Sequence, residues 1–82
     1  MIKGMRKGSR RWAVLNYAVS EPEQWTTNQI ADDLGEKYAT INEAVINLKQ
    51  RGFVVAGKKV GRSFTLLPTP EGVEVFSKTN GN

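Results

Sequence analysis

The 82-residue sequence contains no cysteine and no histidine. The absence of cysteine excludes disulfide bonds and thiolate metal ligands. The absence of histidine removes the commonest general base and the commonest transition-metal ligand. Asp32 and Asp33 are adjacent acids that would diverge on a helix, unlike paired catalytic carboxylates, and no glycine-rich phosphate-binding motif is present. We therefore expect a protein that is not an enzyme and that uses no metal and no cofactor.

Long hydrophobic runs are also missing. No apolar segment approaches the roughly 18 residues of a membrane span. At the N-terminus, Asn16 and Tyr17 interrupt the apolar residues before they reach the length of a signal peptide. A chain of this length holds one modest core. We expect one soluble, cytoplasmic domain with no membrane partner.

Positive charge is clustered along the chain, which has a net charge of +4. One cluster precedes residue 12 and contains no acid, and a second lies after residue 57. The clustered basic residues are Lys3, Arg6, Lys7, Arg10, Arg11, Lys58, Lys59 and Arg62. Such clustering favours a polyanionic partner. A merely solvated basic surface is the alternative interpretation.

The first third of the chain predicts a basic arm and one helix. Residues 1–8 lack periodicity and are interpreted as a flexible arm. Ser9 can cap a helix that runs to about Ser20 with apolar residues at helical spacing. Pro22 follows, and the residue before a proline avoids the helical region, so the helix ends there.

Residues 26–54 carry the densest pattern. Thr26 and Gln29 match a capping box, and a helix then carries Ile30, Ala31 and Leu34 on one face until Gly35 ends it. A second helix over 37–51 has one apolar stripe at i, i+3, i+4 and i+7 spacing. The stripe consists of Ile41, Ala44, Val45 and Leu48.

The last third predicts a hairpin and a short helix. Residues 53–56 form a strand, 57–62 a long basic loop and 63–67 a second strand with Phe64 and Leu66 on one buried face. Thr69-Pro70-Glu71 then begins a helix to about residue 78 that packs through Val73 and Phe76. These boundaries predict one domain over 9–78 and a frayed tail over 79–82.

The order and spacing of these elements resemble the winged helix-turn-helix family of DNA-binding domains. The resemblance covers about two-thirds of the chain and is weaker at both ends. It implies an α+β, mostly α fold in which three helices form the core, a two-stranded β-hairpin forms the wing and a short C-terminal helix follows. The residues that carry it are Trp25-Thr26, Ile30-Ala31, Leu34-Gly35, Thr40-Ile41, Val45, Leu48 and Arg51-Gly52-Phe53-Val54.

The resemblance further implies a sequence-specific double-stranded DNA-binding protein that regulates transcription and associates with the nucleoid. Helix 37–51 would read the major groove, and the wing 57–62 would contact the backbone or the minor groove. Asn42 can read adenine, and the start of the helix at Thr26 offers free backbone N–H groups to a phosphate. The expected DNA-binding residues are Arg10, Arg11, Thr27, Asn28, Lys37, Tyr38, Ala39, Thr40, Asn42, Glu43, Lys58, Lys59 and Arg62. The competing interpretation is the solvated polar face of a helix.

Several residues depart from the family's pattern. Glu36 and Lys37 replace an apolar residue and a serine cap, Glu43 stands where a basic residue is common, and Ile46 lies on the outward face. A protein-binding module is therefore an alternative function, with a partner on Ile46 and an acidic patch formed by Asp32, Asp33, Glu36 and Glu43. A homodimer on a two-fold site through the last helix is a further expectation. Only the start of the signature of left-handed DNA binders, Ile41-Asn42, is present, which disfavours that class.

Overall fold

The fold comprises four helices and one two-stranded antiparallel sheet, as seen in a computed structural model that describes residues 8–80. This arrangement confirms the predicted mostly helical α+β fold. The elements in chain order are α1 (Arg10–Ser20), α2 (Thr27–Leu34), α3 (Tyr38–Gln50), β1 (Val54–Val60), β2 (Ser63–Pro68) and α4 (Pro70–Asn80).

Helix α1 begins and ends where its capping residues predict. The Ser9 hydroxyl accepts a hydrogen bond from the backbone N–H of Trp12 at 3.1 Å. The buried face of α1 consists of Val14, Leu15 and Ala18. The basic arm predicted for 1–8 lies outside the described residues except for Gly8.

Helix α2 has the predicted capping box. The Thr26 hydroxyl accepts from the Gln29 backbone N–H at 3.3 Å, and the Gln29 side chain accepts from the Thr26 N–H at 3.0 Å. Gly35 ends the helix in the left-handed conformation with φ 68°. Leu34 is 37% exposed, so the predicted buried face of α2 is limited to Ile30 and Ala31.

Helix α3 is shorter by one residue at each end than predicted. Lys37 is its N-cap residue and makes no side-chain capping hydrogen bond, because an ammonium group has no acceptor. The predicted apolar stripe is buried as a whole, from Ile41 to Leu48. Helix α3 packs against both α1 and α2.

The hairpin is longer and its turn is shorter than predicted. Val60 pairs with Ser63, so only Gly61 and Arg62 form the turn, and the predicted loop 57–62 is largely strand. An irregular register between Ala56 and Lys59 marks a bulge in β1. Strand pairing reaches Pro68.

Two predicted core residues are exposed. Phe64 is 48% exposed although Leu66, on the same strand face, is buried. Phe64 lies two residues closer to the hairpin tip than Leu66. Val73 is 41% exposed because the buried stripe of α4 runs through Gly72, Val75 and Phe76 instead.

The loop between α1 and α2 joins the base of the hairpin. Thr26 forms an isolated antiparallel bridge with Thr65, and the Leu66 N–H donates to the Trp25 carbonyl at 3.2 Å. The Leu66 carbonyl accepts from the Glu23 N–H at 3.0 Å. These bonds attach β2 to the start of α2.

One core is formed by all six elements. Trp12, Trp25 and Phe53 pack against its margin, and Trp12 stacks with Phe76 at a centroid distance of 6.0 Å. Helix α4 starts at the predicted Thr69 cap, whose hydroxyl accepts from the Gly72 N–H at 3.0 Å. No helix within residues 8–80 is long and apolar enough to cross a membrane.

Candidate nucleic-acid interface

Helix α3 presents one exposed stripe between two grooves. Ala39, Glu43, Ile46 and Gln50 follow one another at i, i+4, i+7 and i+11 spacing, and all four are exposed. Ile46 is 47% exposed, as the sequence predicts. The stripe therefore forms the outermost face of α3.

The wing groove is the depression between α3, the start of α2 and the hairpin, with a volume of about 190 Å³. It brings together four of the residues predicted to bind DNA, and none of its lining residues is acidic. Those four residues are Thr27, Tyr38, Asn42 and Arg62. Three separate elements thus contribute to one surface.

The α1 groove is the depression of about 250 Å³ on the other side of α3. It contains another four predicted residues: Arg10, Arg11, Thr40 and Glu43. The structure therefore divides the predicted site between two grooves on either side of the exposed stripe.

Two arginines converge on one amide beside the α1 groove. The Arg11 guanidinium donates to the Asn47 side-chain oxygen at 3.1 Å, and the Arg51 Nε donates to the same oxygen at 2.8 Å. Arg10 forms an ion pair with Glu36 at 3.5 Å. The Asn47 side-chain oxygen, on α3, therefore positions the guanidinium groups of Arg11 and Arg51 beside this helix.

The remaining predicted residues line neither groove. Ala39 belongs to the exposed stripe, Asn28 is the exposed second residue of α2, and Lys37 precedes α3. Lys58 and Lys59 are exposed on β1.

Four residues at this surface were missed by the sequence interpretation. Lys49 and Phe64 line the wing groove, and Asn47 with Arg51 completes the edge of the α1 groove. Lys49 follows Tyr38 at i+11 and Asn42 at i+7, so helical spacing was a usable signal for it. Phe64 had no such signal, because its position depends on the packing of the hairpin.

A third depression, of about 520 Å³, lies against α2 away from the wing groove and is acidic. Trp25 Nε1 donates to Glu21 at 2.7 Å, and the Tyr17 hydroxyl donates to Asp33. Burial, together with the hydrogen bond and the charge of Asp33, raises the pKa of Tyr17 to about 12. Asp32 also lines this depression. Among the described residues, no cluster of three His, Cys, Asp or Glu side chains could hold a metal ion.

The predicted acidic patch is divided by the structure. Asp32 and Asp33 line the third depression, whereas Glu36 pairs with Arg10 and Glu43 lines the α1 groove. The four acids therefore do not form one surface beside Ile46.

No protein-family model matches the sequence, and no curated protein matches it. The solved structures similar to this chain include a MarR-family transcriptional regulator from Rhodococcus sp. RHA1, with 25% identity and a TM-score of 0.79 over 88% of this chain and 51% of that one. PcaV, a transcriptional regulator from Streptomyces coelicolor, has 31% identity and a TM-score of 0.79 over 89% of this chain and 54% of its own.

A third similar structure is the transcriptional regulator BldR from Sulfolobus solfataricus, with 22% identity and a TM-score of 0.76 over 88% of this chain and 52% of that one. The chain thus spans about half the length of each of these regulators. The chain belongs to the winged helix-turn-helix family of DNA-binding domains.

Proposed function

We propose that this chain is the DNA-reading domain of a transcriptional regulator, and that it inserts α3 into the major groove of a duplex. The observation that carries the proposal is the distribution of charge around α3. The exposed stripe of α3 has no positive charge, whereas positive side chains lie on both sides of it. Those side chains are Lys49 and Arg62 on the wing side, and Arg10, Arg11 and Arg51 on the α1 side.

This distribution matches the chemistry of a duplex. Base edges form the floor of the major groove, and phosphates follow its two margins. A helix that enters the groove meets bases with its outermost face and phosphates with its flanks. The exposed stripe of α3 faces the bases in this arrangement, and the cations beside the two grooves of the protein face phosphates.

The side chains of the stripe suit particular base edges. Ala39 and Ile46 can pack on a thymine methyl group, and Glu43 can accept a hydrogen bond from cytosine N4. An acid in the centre of the interface is compatible with DNA only if it faces such a donor. Asn42 and Thr40, at the two sides of the stripe, are placed for base or backbone hydrogen bonds.

The other predicted contacts surround this centre. Thr27 and Asn28 lie in the first turn of α2, where free backbone N–H groups and the helix dipole favour a phosphate. Lys37 lies at the start of α3, and Lys58 with Lys59 extends the positive surface along β1. The wing would therefore meet the backbone or the minor groove next to α3.

The first test measures duplex affinity of the whole chain at several salt concentrations. The slope of log K against log salt is negative, and each lost phosphate contact makes it less steep by about 0.9. Arg62→Glu should weaken binding at least about tenfold at low salt and make this slope less steep. Lys78→Glu, the same charge reversal on α4, should change affinity less than about threefold, because Lys78 lines neither groove.

Selection of bound duplexes from a random pool then tests sequence reading. An enriched motif supports base contacts from α3, and an enriched palindrome supports a homodimer on a two-fold site. Absence of duplex binding at low salt, or equal effects of Arg62→Glu and Lys78→Glu, contradicts the proposal.

The exposure of Ile46 favours an alternative function, in which this domain binds a protein partner. The two functions differ in the role of this side chain. If Ile46 reads DNA, Ile46→Ala should alter the selected motif and reduce the preference for thymine over uracil at one position, since uracil lacks the methyl group. If Ile46 binds a protein, this variant should leave duplex affinity and the motif unchanged.

A further inference from the structure

The wing groove differs in composition from the other two depressions. Its lining has two cations and no acid, whereas the α1 groove contains Glu43 and the third depression contains Glu21, Asp32 and Asp33. Its charge is therefore complementary to an anion.

The wing groove is also aromatic. Tyr38 on α3 is 51% exposed, and Phe64 on β2 is 48% exposed. Lys59, which pairs with Phe64 across the hairpin, places its ammonium group 6.0 Å from the centre of the phenyl ring. A cation at this distance is attracted to the ring face and favours one position of the ring. Two large aromatic surfaces are thus left open to solvent beside Lys49 and Arg62.

The dimensions of the wing groove restrict what it can hold. Sites for drug-sized ligands usually measure about 300–1,000 Å³. The wing groove, at about 190 Å³, is smaller than this range. It extends over the surface between a helix and a hairpin, which suits a segment of an extended polymer.

We propose that the wing groove holds the sugar–phosphate backbone of one DNA strand, with Tyr38 and Phe64 against deoxyribose and with Lys49 and Arg62 on phosphates. This inference rests on the proposed function. With α3 in the major groove and the wing beside it, one strand must pass between them. The bases of a duplex are stacked inward, so that strand presents its sugars and phosphates to the groove.

The chemistry of the strand matches the lining of the groove. Deoxyribose offers apolar carbon to an aromatic face, and each phosphate offers charged oxygens to Lys49 and Arg62. Thr27 and Asn42 supply hydrogen bonds at the edge of the groove. An apolar contact at the sugar also disfavours a 2′-hydroxyl, which is the group that distinguishes RNA from DNA. The aromatic pair therefore selects a deoxyribose strand.

The test measures the duplex affinity of matched variants of the full chain and the dependence of that affinity on salt concentration. Phe64→Ala and Tyr38→Ala should each weaken duplex binding about tenfold with the salt slope unchanged, because the lost contact is apolar. Lys49→Gln and Arg62→Gln should each make the salt slope less steep by about 0.9. Val55→Ala removes an equally exposed apolar side chain on β1 outside the groove, and it should bind like the wild type. Tyr38 and Phe64 are both about half exposed, so Tyr38→Ala and Phe64→Ala should fold normally. Thermal melts of the two variants check this.

A second measurement isolates the sugar contact. A DNA duplex that carries isolated ribonucleotides should bind the wild type more weakly than the all-DNA duplex, and Phe64→Ala should reduce that difference. If the wild type binds duplex DNA but Phe64→Ala behaves like Val55→Ala, this inference is wrong and the proposed function stands. If Lys49→Gln leaves the slope unchanged, the phosphate assignment is wrong. If the wild type binds no duplex, both proposals fail.

Discussion

A β-carbon on Gly72 would lie 2.0 Å from the backbone carbonyl oxygen of Phe53. The same oxygen accepts a hydrogen bond from the Thr69 N–H at 3.0 Å. Helix α4 therefore packs directly on the backbone that leads into the hairpin, and only glycine permits this approach. The neighbouring atom is backbone, so it cannot move away without displacing the base of the wing.

Gly72→Ala should destabilise the protein by about 3 kcal/mol, which is the scale of a severe steric overlap in a packed interior. Inside a helix, this substitution would otherwise stabilise by roughly 0.5–1 kcal/mol. Urea unfolding measures the difference. Ser77→Ala, at an exposed position of the same helix, should stay within about 0.5 kcal/mol of the wild type. A Gly72→Ala protein as stable as the wild type would contradict the close approach.

Thr26→Ala should lower the free energy of unfolding by about 1–2 kcal/mol, because it removes the capping hydrogen bond and leaves a buried gap. Each 1 kcal/mol corresponds to a fall in Tm of roughly 4–8 °C in a domain of this size. Thr26→Ser keeps the hydroxyl and should recover most of the loss. Thr27→Ala, one residue later, serves as the control, and an equal loss there would argue against the capping role.

Asn47→Asp should weaken duplex binding about tenfold while changing the free energy of unfolding by less than about 1 kcal/mol. The new carboxylate would pair with Arg11 and Arg51 and withdraw both charges from phosphate. Fluorescence anisotropy measures the affinity, and the salt slope should become less steep as well. Ser77→Asp makes the same change of charge on α4 and should bind nearly as the wild type does. If Asn47→Asp binds DNA like the wild type, neither Arg11 nor Arg51 contacts the DNA.

Stability should fall with rising pH because of Tyr17. Its pKa is raised from 10.0 to about 12, first by burial and then by Asp33. Above the ordinary pKa, the unfolded chain releases this proton while the folded chain keeps it. The contribution of Tyr17 to the free energy of unfolding is therefore fully present below about pH 10, and it is lost as pH rises through about 12.

Urea unfolding across this pH range should show that the free energy of unfolding declines less for Tyr17→Phe than for the wild type. Ultraviolet titration should show that the wild type has a tyrosinate component near pH 12 that Tyr17→Phe lacks and Tyr38→Phe keeps. Equal declines in all three proteins would contradict the assignment.

The parts of the fold that were predictable depend on neighbours in sequence. The capping box at Thr26, the left-handed Gly35 and the apolar stripe of α3 are each decided within one or two helical turns. Strand alternation predicts the face on which Phe64 lies, but it does not predict which residues of that face are buried. Helical spacing does not predict the exposure of Val73, because the close contact that orients α4 depends on Gly72 meeting Phe53, which is distant in sequence.

The surface of the candidate site was predictable to a similar extent. Helical periodicity predicts which residues of α3 are exposed, and charge clustering predicts a basic segment at 57–62, which the structure places largely in β1 and the hairpin turn. The division of these residues between two grooves depends on how the hairpin and α1 approach α3. Lys49 and Phe64 acquire their shared position only through that packing.

The hydrogen bonds of Leu66 to Glu23 and Trp25 have a consequence for the choice of DNA site. They join β2 to the loop before α2, so the separation between α3 and the wing is set before DNA binds. Under the proposed function, a duplex whose backbone spacing differs from this separation must itself bend or change its groove width. Sequence-dependent flexibility of the DNA then contributes to site selection, even at base pairs that the protein does not touch.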